Sequence, residues 1–250
     1  MHHNIFNPIK EYNNYIVDKA QENQDKRKKE MGEYIPASQS GMCHRKHFYL
    51  ALGQERKPFV KSSLRIMRLG TVMGEEFENA MNYWYNQTPA NGGSLYQEIY
   101  MTSDTLGIAG HMDLLFVHDR IGYLYDWKTA NSFKFKMLFN SFDGNPSINY
   151  ELQLASYGLL AVEEGLCDEI AHLGLLYYNK DNSVIKQKEV PLEYIERAKM
   201  YWDDVKISTN NLTNPPQFGL GKSPVYKWEC GNKGKYCDYS HVCPSPLLQK

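Results

Sequence analysis

Apolar residues recur along this chain with two different periods, and the switches between them mark out its elements. From Leu64 to about Trp84, residues Leu69, Met73, Phe77 and Met81 fall four apart while Glu75, Glu76 and Glu78 take other faces, which predicts a long amphipathic helix. Residues 9–31 are densely charged around the basic run Lys26, Arg27, Lys28 and Lys29, and predict a mostly exposed helix. Phe48, Tyr49 and Leu52 suggest a further helix that opens near the serines at 38 and 40. Residues 95–101 supply a strand. From Ile108 to Thr129, apolar positions alternate with others on both sides of a polar break at His118, Asp119 and Arg120, the pattern of a half-buried hairpin. Tyr150 to Glu163 is helical and is ended by Gly165. Strands at 170–179 and 183–190 flank the turn Lys180-Asp181-Asn182, and Pro191 opens a helix to about Ser208. Asn210 to Trp228, with Pro215, Pro216 and Pro224, is extended connection. Strands interrupted by helices, with a hairpin among them, predict an α/β fold with a mixed sheet.

The hairpin carries the first candidate chemistry. Side chains two apart on a strand share a face, which puts Asp126 with Lys128 and His111 with Asp113. A two-residue loop sets 113 opposite 126, and a four-residue loop sets 113 opposite 128; either gathers two carboxylates and an amine. Two like charges at that distance repel, so the arrangement favours a divalent cation, and oxygen ligands favour Mg2+ or Mn2+. A lysine beside such a metal can orient a water and offset charge on a phosphate oxygen. The plainer alternative is a solvated Asp–Lys pair on an antiparallel sheet.

Composition narrows the class. The 250 residues are 42% hydrophobic and 23% charged, long enough for one large core. No stretch approaches a membrane span, and the amino-terminal residues carry no apolar signal region, which predicts a cytoplasmic protein. With a net charge of −1, nucleic-acid binding must come from local patches. Five cysteines, an odd count, argue against a disulfide framework. Cys230, Cys237 and Cys243 lie close together among glycines and prolines, and Cys43 could supply a fourth thiolate from the far end of the chain. Four thiolates suit either Zn2+ or an iron–sulfur cluster, and spacing does not decide between them. Cys167 is a small buried hydrophobe on this reasoning.

Two further stretches carry patterns with a functional counterpart. After Lys128, Lys134 and Lys136 interleave with Phe133 and Phe135, either a ridge that tracks a DNA strand or an amphipathic edge. Gly219-Leu220-Gly221-Lys222-Ser223 ends like a phosphate-binding loop, but Pro216 stands at the first glycine position and Pro224 follows where a helix should start, which rejects an ATPase.

Taken together, the motifs resemble the PD-(D/E)XK nuclease superfamily and, within it, RecB-like exonucleases with an iron–sulfur cluster, a group that includes CRISPR-associated Cas-four proteins, the AddB nuclease domain and phage exonucleases. The resemblance rests on Ser38, Ser40, Cys43, Arg45, Phe48 and Tyr49; on Gly110 with Asp113; on Asp126, Trp127 and Lys128; on Gln153 with Tyr157, four apart on one helical face; and on Cys230, Cys237 and Cys243 as C-x6-C-D-Y-x-x-x-C. One departure stands out. The family's first-helix G-x-x-x-H-x-x-x-E appears as Gly70, Gly74 and Glu78, so a usual metal-binding histidine is missing.

What the resemblance implies is specific. The fold is a restriction-endonuclease-like core, a mixed central sheet flanked by helices, with a cysteine-ligated iron–sulfur region joining the two ends of the chain. A single nuclease domain spans 1–250, with residues 1–36 as a charged helical extension and 210–250 as a cluster-binding segment packing with Cys43. Asp113 and Asp126 hold Mg2+ or Mn2+ with the Trp127 carbonyl; Glu75, or else His111, replaces the missing histidine; Lys128, Gln153 and Tyr157 complete the catalytic set. Cys43, Cys230, Cys237 and Cys243 hold a [4Fe-4S] cluster, with Zn2+ as the alternative. Arg45, Phe133, Lys134 and Lys136 are candidate DNA contacts. The activity implied is metal-dependent DNA exonucleolysis, preferring single-stranded ends and running 5′ to 3′, in recombination, repair or processing. It belongs in a bacterial or archaeal cell, or is encoded by a virus. Helicase, recombination or CRISPR adaptation proteins are candidate partners. The alternatives are a CRISPR adaptation nuclease that trims prespacers and a non-catalytic DNA-binding scaffold.

Overall fold

A computed structural model describes residues 7–58, 60–88, 92–140, 146–219, 221, 223–235 and 237–248. Its first helix, α1 (Pro8–Met31), starts where Asn7 Oδ1 accepts the backbone N–H groups of Ile9 and Lys10, both at 3.1 Å, with Pro8 in the first turn. Only Ile16 of α1 is buried, as its charge pattern predicts. Then come β1 (Ile35–Pro36), a 3-10 turn (Ala37–Gln39), α2 (His44–Ala51) and the long α3 (Lys61–Gln87). The helix predicted near the serines therefore begins later, and Ser40 instead closes the 3-10 turn and bonds Ser156 Oγ at 2.9 Å.

The strands β2 (Ser94–Ser103), β3 (Ile108–His118) and β4 (Ile121–Ala130) follow in antiparallel order. Asp119 and Arg120 both have positive φ, +50° and +67°, the two-residue primed turn that matches strand twist. His118 thus pairs with Ile121 and Leu114 with Tyr125, the register of the two-residue loop. Helices α4 (Ser132–Phe139) and α5 (Ile148–Glu163), strands β5 (Glu169–Asn179) and β6 (Ile185–Glu189), and helices α6 (Glu193–Thr209) and α7 (Lys227–Gly234) complete the described order. Among the described residues six strands form one mixed sheet, in which β4 and β5 run parallel.

Helix α5 is buried on almost every side because it lies between the sheet and α6. Its Ser156 Oγ receives the indole N–H of the fully buried Trp202 at 2.8 Å, and Leu154, Leu160, Leu173 and Leu175 fill the core around it. Burying each such side chain contributes about 2 kcal/mol.

The sheet forks at β3. One edge of β3 pairs with β2 along its length, while the other pairs with β4 only from Leu114 to His118 and with β1 at Ile108 and Ala109. Between these contacts β4 has left β3 and continues beside β5 to Ala130. Residues 110–113 of β3 and 126–129 of β4 therefore line the two arms of a fork.

Three local expectations change. The stretch after Asn131 is not an edge but the helix α4, capped by Asn131 Oδ1 on the Lys134 N–H at 2.8 Å. Within the connection expected to run extended to Trp228, α7 begins at Lys227 and carries Cys230. The inward stripe of α3 is rotated: Leu69 is exposed, while Gly70, Met73, Gly74, Phe77, Glu78 and Met81 are the half-buried positions. Of the loop resembling a phosphate cradle, Leu220 and Lys222 fall outside the described residues; Gly219 bridges Ser223 in a tight turn.

Candidate active site

The fork sets the two acids side by side. Asp113 leaves the ladder and its Oδ2 accepts the backbone N–H of Trp127 at 2.7 Å, a bond that replaces the missing strand pairing. Asp126, one residue before, is fully buried and ion-paired with Lys128, two residues on along the same face. Burial pushes the Asp126 carboxyl up to about 7; Lys128 opposes the rise and Asp113 adds to it. Burial pulls the Lys128 ammonium down, but the two carboxylates outweigh it and hold the group raised. Both shifts say the same thing: two acids and one amine leave the centre short of positive charge.

Helix α5 braces this centre. Gln153 Nε2 reaches Asp126 Oδ1 at 3.3 Å and Tyr157 Oη at 3.1 Å, so the two residues four apart form one hydrogen-bonded arm. Tyr157 comes close because position 110 is glycine: a Cβ there would lie 3.0 Å from the tyrosine ring and 3.3 Å from Ala37 Cβ. On the other side the Phe77 ring of α3 stacks on Trp127 with centroids 4.3 Å apart, fixing the residue whose N–H holds Asp113.

Sequence reasoning missed two side chains. Glu98 stands in β2 at the position facing Asp113, where the paired neighbours are Gln97 with Leu114 and Ile99 with Met112. Its φ is +49°, a costly conformation for glutamate in a strand. Burial pushes its carboxyl up to about 7, with the charges of Asp113 and Glu78 adding to the rise and those of Arg27 and Lys128 opposing it. Its one trace in the sequence is that Glu98 is the sole charged residue of β2. The second is Tyr150, whose ring lies 5.1 Å from the Lys128 ammonium and 4.2 Å from that of Lys134.

Other candidates lie elsewhere. Glu75 is exposed on the outer side of α3 and faces Arg68 at 3.5 Å, because α3 turns Gly74 and Glu78 inward instead. His111 pairs with Glu30 of α1 at 3.5 Å and packs beside Tyr100. Arg45 is buried: it donates to the Pro216 carbonyl at 2.6 Å and to Tyr49 Oη at 3.1 Å, and lies over the Phe218 ring, so it ties chain segments together and does not present a DNA contact. Phe133 and Lys136 are exposed on α4.

The four predicted cysteines line one cavity together with Arg45, Lys46 and Tyr49, and all are free thiols. Phe48, Tyr49 and Tyr239 make a small separate core beneath it, which gives the aromatic pair and the C-D-Y tyrosine a shared packing role. Glu229 clasps the ends: Oε1 accepts the Cys43 N–H at 2.7 Å and Oε2 the Tyr226 N–H at 2.9 Å. Burial, then Glu229, pushes the Cys43 thiol up to about 12, and burial raises Cys230 and Cys237. Cys167 is buried in the main core. Among the described residues no three His, Cys, Asp or Glu side chains already stand at metal-ligand spacing.

No curated protein matches the chain in sequence. Among solved structures, that of SSO0001 is 19% identical, with 92% of this chain and 95% of that one covered and a TM-score of 0.52, a likeness of fold. A proposed exonuclease of Eubacterium rectale is 13% identical over 84% of this chain and 95% of its own, TM-score 0.48. An alkaline exonuclease of Laribacter hongkongensis is 13% identical over 71% and 88%, TM-score 0.39. The family model of the PD-(D/E)XK nuclease superfamily matches residues 12–244, a span that takes in the fork, its bracing helix and all of the cysteines. With two acids and a lysine at a fork in a mixed sheet, and that match over most of its length, the chain belongs to the PD-(D/E)XK nuclease superfamily.

Proposed function

We propose that the protein is a metal-dependent deoxyribonuclease that degrades DNA from its ends, prefers single strands and runs 5′ to 3′. The observation that carries the hydrolytic part is the convergence of Asp113, Asp126 and Lys128 at the fork. Strand preference and polarity follow from the resemblance to RecB-like exonucleases.

The centre fits a divalent ion. Asp126 keeps a buried carboxylate oxygen, Oδ2, whose one neighbour of opposite charge among the described residues is Lys128, and Asp113 and Glu98 add negative charge beside it. Asp113, Asp126, the Trp127 carbonyl and Glu98 would hold Mg2+ or Mn2+, with Glu98 taking the part assigned by resemblance to Glu75. When bound, the ion supplies Lewis-acid stabilisation of the negative charge that builds on the phosphate. Lys128 orients the attacking water and offsets charge on the pentacoordinate phosphorus centre. Gln153 holds the Asp126 carboxylate in place, and Tyr157 holds Gln153.

The cysteine cavity fits a four-thiolate group, since four sulfur donors border one space whose Lys46 and Arg45 offset thiolate charge. We assign a structural [4Fe-4S] cluster there, with Zn2+ as the competing occupant; binding draws the four residues together and displaces their thiol protons. It ties the segment at Cys43 to the carboxyl-terminal segment.

The test uses end-labelled linear and covalently closed circular single strands with Mn2+. Loss of the linear substrate alone supports the exonuclease, cut circles contradict end dependence, and inertness toward both favours a DNA-binding scaffold.

A further inference from the structure

Beside the catalytic fork, at the carboxyl ends of the neighbouring parallel strands β4 and β5, lies an open groove bordered by α4 and the turn between β5 and β6. Its wall is fixed by polar ties. Ser132 N–H donates to Asp181 Oδ2 at 2.7 Å, Ser132 Oγ donates to Asn179 Oδ1 at 3.3 Å, and Lys180 N–H donates to the Ala130 carbonyl at 2.8 Å. The lining mixes three chemistries: the ammonium groups of Lys136 and Lys186, the Phe139 ring, and the amides of Asn140 and Asn182. Lys186 Nζ sits 5.3 Å from the centre of the Phe139 ring and 5.8 Å from that of Phe135. Both lysines are exposed, and neither has a carboxylate partner among the described residues.

Asn179 of the groove pairs in register with Ala130, two residues along β4 from Lys128. The Tyr150 ring lies 5.1 Å from the Lys128 ammonium and 4.2 Å from that of Lys134, and Lys136, on another face of α4, lines the groove. Basic groups thus stand both at the centre and in a nearby concavity that also offers an aromatic wall and amide groups. In a chain of net charge −1 such a patch is a local attraction for a polyanion. Stacking on an aromatic side chain is open to a base that has left its pair, whereas a duplex presents its bases edge-on.

We infer that this groove holds an unpaired nucleotide of the substrate strand, with a phosphate between Lys136 and Lys186 and the base against Phe139. The inference rests on the nuclease assignment and names the feature that makes single strands the preferred substrate. Lys186 gives way from the ring as its ammonium turns to the phosphate.

Fluorescence anisotropy in EDTA, with the full chain and a labelled oligothymidine single strand, tests it. Phe139→Leu keeps apolar bulk against the core but removes the π-face; Lys136→Glu with Lys186→Glu reverses charge at two exposed positions that folding does not need. Each variant should weaken single-strand binding by about 10-fold; Phe139→Leu should leave duplex binding unchanged, and the lysine pair should weaken duplex binding by less than it weakens single-strand binding. An abasic strand of the same length should lose the effect of Phe139→Leu and keep that of the lysine pair. Unchanged single-strand affinity in both variants, or an equal loss for duplex, overturns the groove. Hydrolysis of bis(p-nitrophenyl) phosphate, too small to reach the groove, separates the two assignments: wild-type rates in the groove variants agree with the inference, and a matching loss contradicts it. A wild-type protein that binds through the groove but hydrolyses neither ester nor DNA sinks the nuclease assignment and leaves the groove standing.

Discussion

Asp113 Oδ2 accepts the backbone N–H of Trp127 at 2.7 Å, and this one bond holds the two arms of the β3–β4 fork together where ladder pairing has stopped. It places Asp113 beside Asp126 and fixes the backbone of Trp127, the residue between Asp126 and Lys128. The centre is thus built on strand backbone, with α5 bracing it and α3 stacked behind Trp127.

Glu98, and not Glu75, is the third carboxylate of the centre on this account. Glu98→Gln should lower Mn2+-dependent turnover by about 10- to 100-fold and raise the Mn2+ concentration needed for half-maximal activity. Glu75→Gln should leave both unchanged. Steady-state cleavage titrated with Mn2+ checks the pair, and the reverse ranking would restore Glu75.

Proton and metal compete at the fork. Burial, joined by Asp113, raises the Asp126 carboxyl from 3.8 to about 7, so the folded chain retains a proton there that the unfolded chain has already released. Without metal, stability therefore falls as pH rises through that window. With saturating Mn2+ that pH dependence should vanish, because a bound ion displaces the proton, and Mn2+ affinity should climb with pH until about 7 and then level. Melting temperatures across the window in EDTA and in Mn2+ measure both slopes; a melting temperature that climbs with pH in EDTA would refute the assignment.

Gly110 admits the Tyr157 ring. Gly110→Ala puts a methyl 3.0 Å from that ring, and the tyrosine, wedged on α5, must shift with Gln153 and Asp126. Stability should drop by about 2 kcal/mol and turnover should fall with it. Denaturant unfolding and cleavage rates read the two effects; a fully active, fully stable variant would mean that Tyr157 does not position the centre.

Protein purified without oxygen should be brown, with iron and acid-labile sulfide, and Cys43→Ser should lose the colour together with thermal stability. Colourless protein with bound zinc would replace the cluster by a tetrahedral zinc site.

Much of the centre was legible because strand geometry is strict. Alternation alone put Asp126 with Lys128; of the two loop lengths the polar break allowed, the turn at Asp119 and Arg120 selects the register that faces 113 toward 126. Helical spacing likewise placed Gln153 with Tyr157. Glu98 was not legible as a site residue because its role depends on which strand lies beside β3 and on a backbone turn to φ +49° that no periodicity encodes. Glu75 misled because it adjoins Gly74, where the family's histidine would stand, but one step along a helix turns a side chain by about 100°, and α3 brings its glycines to the sheet: a Cβ on Gly70 would lie 3.6 Å from Thr129 Oγ1. The short helix α4 hid behind alternating Phe and Lys, a period-two pattern that its Asn131 cap overrode.

The most direct test of the account is cleavage of end-labelled single-stranded DNA in Mn2+ by the wild-type protein and by Lys128→Ala. The prediction is metal-dependent shortening by the wild type, abolished by EDTA, and a loss of about 10²- to 10³-fold in Lys128→Ala with folding and DNA binding retained. Metal-dependent cleavage by Lys128→Ala at the wild-type rate would contradict it.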